Sequence, residues 1–294
     1  MQTKTFYLQS LTALHVGTGQ GVGVVDLPIA RSKATNLPLV PGSSLKGVLR
    51  DELAVQQSLD SKDINTLFGP DTTTGDSFAG ALSFSDANLL ILPLRSFAGT
   101  VAYATCPFIL KRYARDFKHS LNVPATEGDL AIITTNSKLE VATESLALED
   151  LDISSERSND ATDWAELLAS ELYPDSVLKA QDWRSEFIKR FVILPDNIFS
   201  FLVDTATEIR TRIRINRETR IVKDGALWTE ENLPAESVLW GVLGVNRSFN
   251  KENQKSEEEM MALLPTEEMM IQVGGKHTVG RGMCRFLITQ TQEG

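Results

Sequence analysis

Asp26 has the most suggestive chemical setting in this sequence, because it lies between two glycine-rich stretches, "GTGQGVG" (17–23) and "PGSSLKG" (41–47). Pro28, two residues later, restricts the backbone that follows. A single carboxylate in such a loop can accept a proton from an attacking hydroxyl group or hold one divalent cation through water. The alternative is that Asp26 only stabilises a turn, and spacing alone leaves both possibilities open.

Glycine-rich stretches of this kind could bind phosphate groups, and a third one, "GGKHTVGRG" (274–282), lies near the end of the chain. Glycine lets backbone N–H groups approach a phosphate closely, and a helix N-terminus adds its dipole and unpaired donors. Lys46 and Arg50 follow the second stretch, and Lys276 and Arg281 lie in the third. Cations beside backbone donors suit a nucleic-acid backbone. Tight turns in a compact fold are the alternative interpretation.

Spacing excludes several other kinds of site. The Walker A pattern fails because His277 follows Lys276, and the dinucleotide pattern fails because Val22 occupies its last glycine position. The histidines form no HExxH pair, and no G-x-S-x-G nucleophile motif is present. Cys106 and Cys284 lack metal-ligand spacing, so we predict that both are buried free thiols. Carboxylates therefore remain the candidate chemical groups.

The charge of the chain is unevenly distributed. Residues 140–175 contain eleven acidic residues and a single base, Arg157, so this window alone accounts for the net charge of −10. The rest of the chain is neutral, and the stretches "KRYARDFK" (111–118) and "RTRIRINRETRIVK" (210–223) are basic. The overall acidity therefore argues against indiscriminate nucleic-acid binding but not against a specific RNA partner.

The sequence also indicates where the protein resides. No apolar run reaches the ~20 residues that a membrane-spanning helix needs. The first residues, "MQTKTFYLQSLTAL", lack a signal-peptide pattern and look like a strand. We therefore expect a cytoplasmic protein that does not contact a membrane.

Apolar periodicity favours an α+β fold with many strands and few helices. We expect a helix after Pro41 with Ser43 or Ser44 as its N-cap, and a hairpin in "TEIRTRIRINRETRIVKDGALW". The acidic window 140–175 is predicted to be a solvent-facing insertion with one amphipathic helix. A ferredoxin-like core (βαββαβ) with insertions fits this order best. Further strands are expected in 4–13, 81–94, 100–107, 237–245, 269–275 and 283–290, and further helices in 108–117 and 250–265.

Several stretches, taken in order, resemble the RAMP superfamily of CRISPR proteins. They are "LHVGTGQGVGVVDLPIARSKATNLPLVPGSSLKGVLR", "GALSFSDA", "TCPF", "GALWTEENLPAES" and "GGKHTVGRG". Within that family the chain is most similar to the repeating backbone subunits of the type III-B effector, the Cmr complex. The resemblance runs from the first strand to the last glycine loop and leaves out only the acidic window.

The resemblance implies a single RAMP domain over residues 1–294, with an RRM-like, ferredoxin-type palm and an inserted hairpin called the thumb. Region 205–234 corresponds to the thumb, whereas the acidic insertion 140–175 has no counterpart. Several copies of the chain are expected to stack along a CRISPR guide RNA, together with other subunits of the Cmr complex. Each thumb is expected to displace one guide nucleotide from the duplex with the target RNA.

The resemblance further implies that the chain cleaves single-stranded target RNA opposite each displaced nucleotide, with a divalent metal, Mg²⁺ or Mn²⁺. Asp26 corresponds to the catalytic acid and metal ligand. His15, Trp228 and Glu230 fall near the site as possible accessory residues. The expected RNA-binding residues are Ser43, Ser44, Lys46, Arg50, Arg214, Arg217, Lys276 and Arg281.

This activity needs little catalytic machinery, because RNA carries its own nucleophile, the 2′-hydroxyl group. An enzyme that bends the backbone into line should leave a cyclic phosphate and a 5′-hydroxyl. Two alternatives stay open. The chain could be a purely structural guide-RNA-binding filament subunit whose aspartate only braces a loop, or a guide-processing nuclease that acts alone and without metal.

Overall fold

The chain forms two compact units in a computed structural model that describes residues 1–19, 24–57, 59–70, 77–126 and 128–289. Unit 1 comprises Met1–Asn88, Glu208–Leu233 and Leu239–Gly294, and unit 2 comprises Leu89–Thr207 and Pro234–Val238. The sequence gives unit 1 a balance of 18 bases to 20 acids and unit 2 a balance of 11 to 19. Most of the negative charge therefore belongs to unit 2.

Helices and strands alternate irregularly along the described residues. The strands are β1 (Gln2–Ser10), β2 (Leu39–Val40), β3 (Leu82–Phe84), β4 (Ala87–Ser96), β5 (Thr100–Thr105), β6 (Ala131–Thr134), β7 (Glu140–Ala142), β8 (Ser145–Leu148), β9 (Leu151–Ser158), β10 (Phe191–Ile193), β11 (Glu208–Ile215), β12 (Val222–Asn232), β13 (Val238–Val245), β14 (Met269–Gln272) and β15 (Met283–Ile288). The helices are α1 (Gly42–Gln56), α2 (Ser61–Phe68), α3 (Pro107–Phe117), α4 (Asn159–Leu172), α5 (Ala180–Ile188), α6 (Asp196–Thr205) and α7 (Glu257–Met261), with a short 3₁₀ helix at His277–Val279.

Unit 1 is built on a sheet in which the pairs β14–β15, β15–β1 and β13–β3 are antiparallel. Strand β15 pairs with β14 on one side and with β1 on the other, with Leu8 opposite Phe286. Strand β13 follows β1 in the sheet and pairs with β3. The rings of Phe6 and Phe286, with centroids 5.6 Å apart, lie in the core of this sheet. These strands confirm the expectation of a first strand and of two closing strands near the end of the chain.

Helix α1 begins after Pro41, as expected, but its N-cap is not the one predicted. Neither Ser43 nor Ser44 makes a capping hydrogen bond; instead the carboxylate of Asp86 accepts a hydrogen bond of 2.9 Å from the N–H group of Gly42. An acid at a helix N-terminus also interacts favourably with the helix dipole. A residue distant in sequence therefore fixes the start of the helix that follows the second glycine stretch.

Unit 2 contains a mixed sheet in the order β4-β5-β10-β6-β9-β8-β7. Strand β10 is parallel to β5, and β6 is parallel to β9, whereas the remaining neighbours are antiparallel. A further pairing of Ser96 with Leu148 links β4 to β8, so that six of these strands close into a ring. The sequence did not indicate this ring.

The acidic window 140–175 supplies part of that unit's core, so the prediction of a solvent-facing insertion is wrong for its apolar side chains. Leu146 and Ile153 on the strands, and Trp164 and Leu168 on α4, are buried. Acidic residues such as Asp152 alternate with them and are exposed. The charge excess masked this alternation, because a count of acids does not show which face of a strand or helix they occupy. The predicted amphipathic helix is confirmed as α4.

Strands β11 and β12 form a separate two-stranded hairpin, which confirms that prediction. Thr211 lies opposite Thr229, and Arg212 lies opposite Trp228. Because side chains alternate along a strand, Thr229 belongs to one face of the hairpin, and Trp228 belongs to the other. The first of these faces carries half-exposed aliphatic residues, Ile209, Ile213 and Leu227.

Other expectations about the fold are met in part, since the helix predicted over 250–265 is confined to Glu257–Met261. The described residues combine helices with mostly antiparallel strands, in keeping with the mixed α and β class, while the ferredoxin-like palm stays a prediction. Cys106 and Cys284 are buried free thiols, as predicted. Within the described ranges, no helix has both the length and the apolar character needed to cross a bilayer.

The contact between Asp86 and Gly42 can be tested by mutation. We expect Asp86→Ala to lower the free energy of unfolding by about 1 kcal/mol, the usual cost of losing a helix N-cap. Ser43→Ala, at an exposed position without a capping bond, should change it by less than about 0.5 kcal/mol. Urea unfolding of both variants checks this, and equal losses would show that Asp86 does not act as the cap.

Candidate functional site

Asp26 is exposed and is held by one residue of the hairpin, Thr229. Its Oδ2 atom accepts hydrogen bonds from the N–H group of Thr229 at 2.8 Å and from the Thr229 hydroxyl at 2.9 Å. The Asp26 N–H group donates in return to Thr229 Oγ1 at 3.1 Å. The backbone N–H and then the hydroxyl of Thr229 lower the pKa of the Asp26 carboxyl below its usual range. Asp26 is therefore an ionised carboxylate at neutral pH.

The segment after Asp26 lies along the outer edge of β12. The N–H group of Leu27 donates to Thr229 O at 3.1 Å, and the N–H group of Glu231 donates to Leu27 O at 3.0 Å. The carboxylate of Glu231 accepts from the Ile29 N–H at 3.1 Å and from Arg31 at 2.6 Å. Thr229, Glu231 and Arg31 were not among the residues predicted from the sequence. Residues 229–232, "TEEN", alternate between the two faces of a strand, but this pattern does not indicate that Thr229 has a partner about 200 residues earlier in the sequence.

His15 is buried beneath the same strand. Its Nδ1 atom lies 2.7 Å from the carbonyl oxygen of Glu231. Because a carbonyl oxygen only accepts hydrogen bonds, Nδ1 carries the proton, and in the neutral ring Nε2 is an acceptor. A Cβ atom at Gly17 would lie 2.9 Å from that Nε2, so a larger residue at this position would require the His15 ring to shift. His15 thus packs between the hairpin base and the first glycine stretch.

A second cluster consists of Trp228, Glu230 and Lys276. The resemblance implied that Trp228 and Glu230 lie near the site and that Lys276 binds RNA. Glu230 is buried, and its Oε1 atom accepts from Trp228 Nε1 at 2.7 Å and from Lys276 Nζ at 3.0 Å. Burial raises the pKa of Glu230, but these two bonds and the charges of Lys276 and Arg212 outweigh it, so the pKa is lowered overall. Its Oε2 atom is buried without a partner among the described residues. None of these residues contacts Asp26 through a described hydrogen bond.

The three glycine-rich stretches predicted from the sequence meet at one groove of about 530 Å³. The first stretch contributes Gly17 and Gly19, while residues 20–23 of that stretch lie outside the described residues. Helix α1 contributes Ser44, and the third stretch contributes Gly274–Lys276. Leu27 lines the same groove, which brings the residue after Asp26 to its wall.

The other predicted RNA-binding residues differ in how available they are. Ser43 is exposed and Lys46 is half-buried. Arg50 already donates to Gly69 O and to Asn65 Oδ1, each at 2.7 Å. Arg281 is only 8% exposed. Arg214 and Arg217 lie away from the groove, on a cavity of about 690 Å³ formed by the hairpin itself. All of these assignments stay predictions.

The site offers limited coordination for a metal ion. Among the described residues, no group of three or more histidine, cysteine or acidic side chains is arranged to hold one. Asp26 nevertheless fits the role of a single ligand, because Oδ2 is occupied by Thr229 whereas Oδ1 has no partner among the described residues. Mg²⁺ commonly binds through one or two carboxylates, water and substrate phosphates.

Comparison with known proteins decides the family of this chain. The model of the RAMP superfamily matches residues 7–285. The chain belongs to the RAMP superfamily. It is 33% identical, over 96% of its length and 94% of the relative's, to a protein of Pyrococcus furiosus named CRISPR system Cmr endoribonuclease Cmr4. It is 25% identical to the CMR subunit Cmr4 of Saccharolobus solfataricus, over 96% of this chain and 95% of that one. The resemblance found in the sequence is thereby confirmed.

Solved structures agree with this RAMP assignment at the level of the fold. The crystal structure of oligomeric Cmr4 from Pyrococcus furiosus has a TM-score of 0.74 at 24% identity and covers 100% of both chains. A chain of the type III-B Cmr-beta complex bound to cognate target RNA has a TM-score of 0.73 at 21% identity, over 98% of this chain and 97% of that one.

The shape of the groove depends on Gly274, which has a matched control in the same loop. Gly274 and Gly280 have φ values of 86° and 76°. A Cβ atom at Gly274 would lie 2.3 Å from the carbonyl oxygen of His15, whereas at Gly280 nothing lies within 4 Å. Each alanine substitution should cost about 1–2 kcal/mol of backbone strain, and Gly274→Ala a further ~1–3 kcal/mol from overpacking. Equal urea unfolding midpoints for Gly274→Ala and Gly280→Ala would contradict the expected overpacking at Gly274.

Proposed function

We propose that this chain is a guide-RNA-binding backbone subunit of a type III-B CRISPR complex that cleaves target RNA as an endoribonuclease. The observation that carries the proposal is the exposed, ionised carboxylate of Asp26, held beside a groove where three glycine-rich stretches meet. The names of the relatives, Cmr endoribonuclease Cmr4 among them, support the same activity.

The cleavage step we propose uses the RNA's own hydroxyl group. The 2′-hydroxyl gives up its proton as its oxygen attacks the adjacent phosphorus, the bond from phosphorus to the 5′-oxygen breaks, and the leaving 5′-oxygen takes up one proton in exchange. The products are a 2′,3′-cyclic phosphate and a 5′-hydroxyl, so the number of atoms and charges is conserved. The reaction accelerates when the backbone is held with the attacking and leaving oxygens in line.

Asp26 would contribute Oδ1, the oxygen that has no partner among the described residues, to this step. Because its pKa is lowered, the carboxylate is a weak proton acceptor, and accepting a hydrogen bond or holding a cation suits it better than full general-base catalysis. A divalent metal, Mg²⁺ or Mn²⁺, bound by Asp26 together with water and RNA phosphate would neutralise charge that develops on the phosphate.

Backbone donors and cations of unit 1 are proposed to hold the guide RNA. Gly274, Gly275 and Lys276 line the groove, and Ser44 and Lys46 lie in the first two turns of α1. Phosphate contacts of this kind fix the position of RNA without reading its sequence. We propose that the ferredoxin-like palm is unit 1, where β1 and β2 precede α1, and that the thumb is the hairpin β11–β12.

The partners proposed are guide RNA, single-stranded target RNA, further copies of this chain and other Cmr subunits, in a cytoplasmic complex. Titles of the similar structures describe an oligomeric Cmr4 and a Cmr-beta complex bound to cognate target RNA. A second candidate function is a structural subunit without catalysis. The bonds from Thr229 to Asp26 favour it in one respect, since a loop brace would show the same contacts.

Asp26→Ala distinguishes the two functions. In the reconstituted complex with Mg²⁺, we expect the variant to bind guide and target like the wild type but to cleave at least ~100-fold more slowly, as for loss of a catalytic group. Cleavage products are followed on a gel, with a chelator added in parallel and with gel shift to confirm binding. Asp152→Ala, which removes an exposed carboxylate in unit 2, is the control. Wild-type cleavage by Asp26→Ala would leave the structural function.

Lys46→Ala tests the proposed guide contact. Loss of one phosphate contact should weaken guide binding for every sequence and reduce the slope of log K against log salt by about 0.7–1. Lys251→Ala, at an exposed position outside the groove, is the matched control. Binding is measured by fluorescence anisotropy of labelled guide RNA at several salt concentrations. A slope equal to that of the wild type would remove Lys46 from the interface.

A further inference from the structure

We propose that Thr229 is the positioning residue of Asp26: its hydroxyl and N–H groups hold one carboxylate oxygen so that the other faces the RNA. This inference rests on the proposed function, because it assigns the group that orients the cleaving acid. Thr229 itself has no predicted contact with RNA. Its role would be exerted entirely through Asp26.

The geometry of the pair is reciprocal. The Thr229 hydroxyl donates to Asp26 Oδ2 at 2.9 Å and accepts from the Asp26 N–H at 3.1 Å. The Thr229 N–H donates to the same Oδ2 at 2.8 Å. One residue therefore fixes both the backbone and the side chain of Asp26. An exposed aspartate without such bonds would sample several rotamers, and each rotamer would aim its carboxylate differently.

The two hydrogen bonds from Thr229 to the carboxylate distinguish its two oxygens. Oδ2 receives two donors, while Oδ1 has no partner among the described residues. An oxygen that already accepts two hydrogen bonds is a poor acceptor for a third. The oxygen available to a hydroxyl group or a cation is therefore Oδ1, and Thr229 determines its direction.

A second attachment prevents the loop from moving away from the strand. Glu231, two residues further along β12, holds the Ile29 N–H through Oε2 and Arg31 through Oε1. The side chains of Arg31 and Glu231 in this ion pair are only 16% and 8% exposed, so water competes with it weakly. The Asp26 loop is therefore expected to move together with β12, and the Asp26 carboxylate is connected to that strand through Thr229.

The hydroxyl group can be removed with little change in shape, since valine is nearly isosteric with threonine. Thr229→Val keeps the N–H donor and loses both bonds of the hydroxyl, whereas Thr229→Ser keeps the hydroxyl and loses a methyl group. Thr211, directly opposite on β11, is exposed and makes no described side-chain hydrogen bond. Thr211→Val is therefore a control with the same chemistry on the same face of the hairpin.

The first test measures single-turnover cleavage of target RNA by the reconstituted complex at saturating target. We expect Thr229→Val to cleave roughly 10- to 100-fold more slowly, the range for loss of one charge-assisted hydrogen bond. Affinity for guide and target should be unchanged, Thr229→Ser should restore the rate, and Thr211→Val should match the wild type. A wild-type rate for Thr229→Val, or a serine variant as slow as the valine variant, would overturn the proposal.

The second test does not depend on cleavage. The carboxyl carbon of Asp26 is titrated by ¹³C NMR in the full chain without RNA, with Asp26→Asn used to assign the signal. Loss of a donor to the carboxylate raises its pKa, so Asp26 in Thr229→Val should titrate at higher pH than in the wild type. An unchanged titration would overturn the positioning role. If Asp26→Ala cleaves normally, the proposed function fails, but this titration still shows whether Thr229 holds the carboxylate.

Discussion

Attachment of the Asp26 loop to strand β12 is the constraint on which the site depends. Every described hydrogen bond of Asp26 goes to Thr229, and the residues that follow it are held by Thr229 and Glu231. Glu231 also fixes His15 through its carbonyl oxygen. The exposed acid is therefore positioned by a strand of the hairpin rather than by the glycine-rich stretch that precedes it.

Two carboxylates, Glu230 on β12 and Asp26 beside that strand, have lowered pKa values for different physical reasons. Asp26 is exposed, and hydrogen bonds from Thr229 stabilise its charge directly. Glu230 is buried, which by itself would favour the neutral acid, but Trp228 and Lys276 overcome that penalty. Glu230 is paired with Lys276 and Trp228 through Oε1, and its Oε2 is buried, whereas Asp26 is exposed and its Oδ1 has no partner among the described residues. This difference favours Asp26 over Glu230 as the group that acts on a substrate.

The sequence predicted the elements with local signals and missed those that depend on distant contacts. Pro41 and the apolar spacing of Leu45, Leu49 and Leu53 were enough to predict α1, and alternating arginines were enough to predict the hairpin. The cap from Asp86 and the clamp from Thr229 could not be predicted, because each joins residues far apart in sequence. The six-stranded ring of unit 2 was missed for a related reason, since the pairing of Ser96 with Leu148 that closes it joins residues far apart in sequence.

The lowered pKa of Asp26 constrains how cleavage could be accelerated. In the proposed cleavage, a carboxylate that binds protons weakly would remove little of the barrier to proton transfer, so the geometry imposed on the RNA and the proposed cation would supply most of the acceleration. The element proposed to impose that geometry is the hairpin β11–β12, and its second strand also holds Asp26. One rigid strand can thus fix the distance between the point where RNA is distorted and the oxygen that acts on it. An acid attached only to the glycine-rich loop would not keep this register, because glycine-rich backbone permits many conformations.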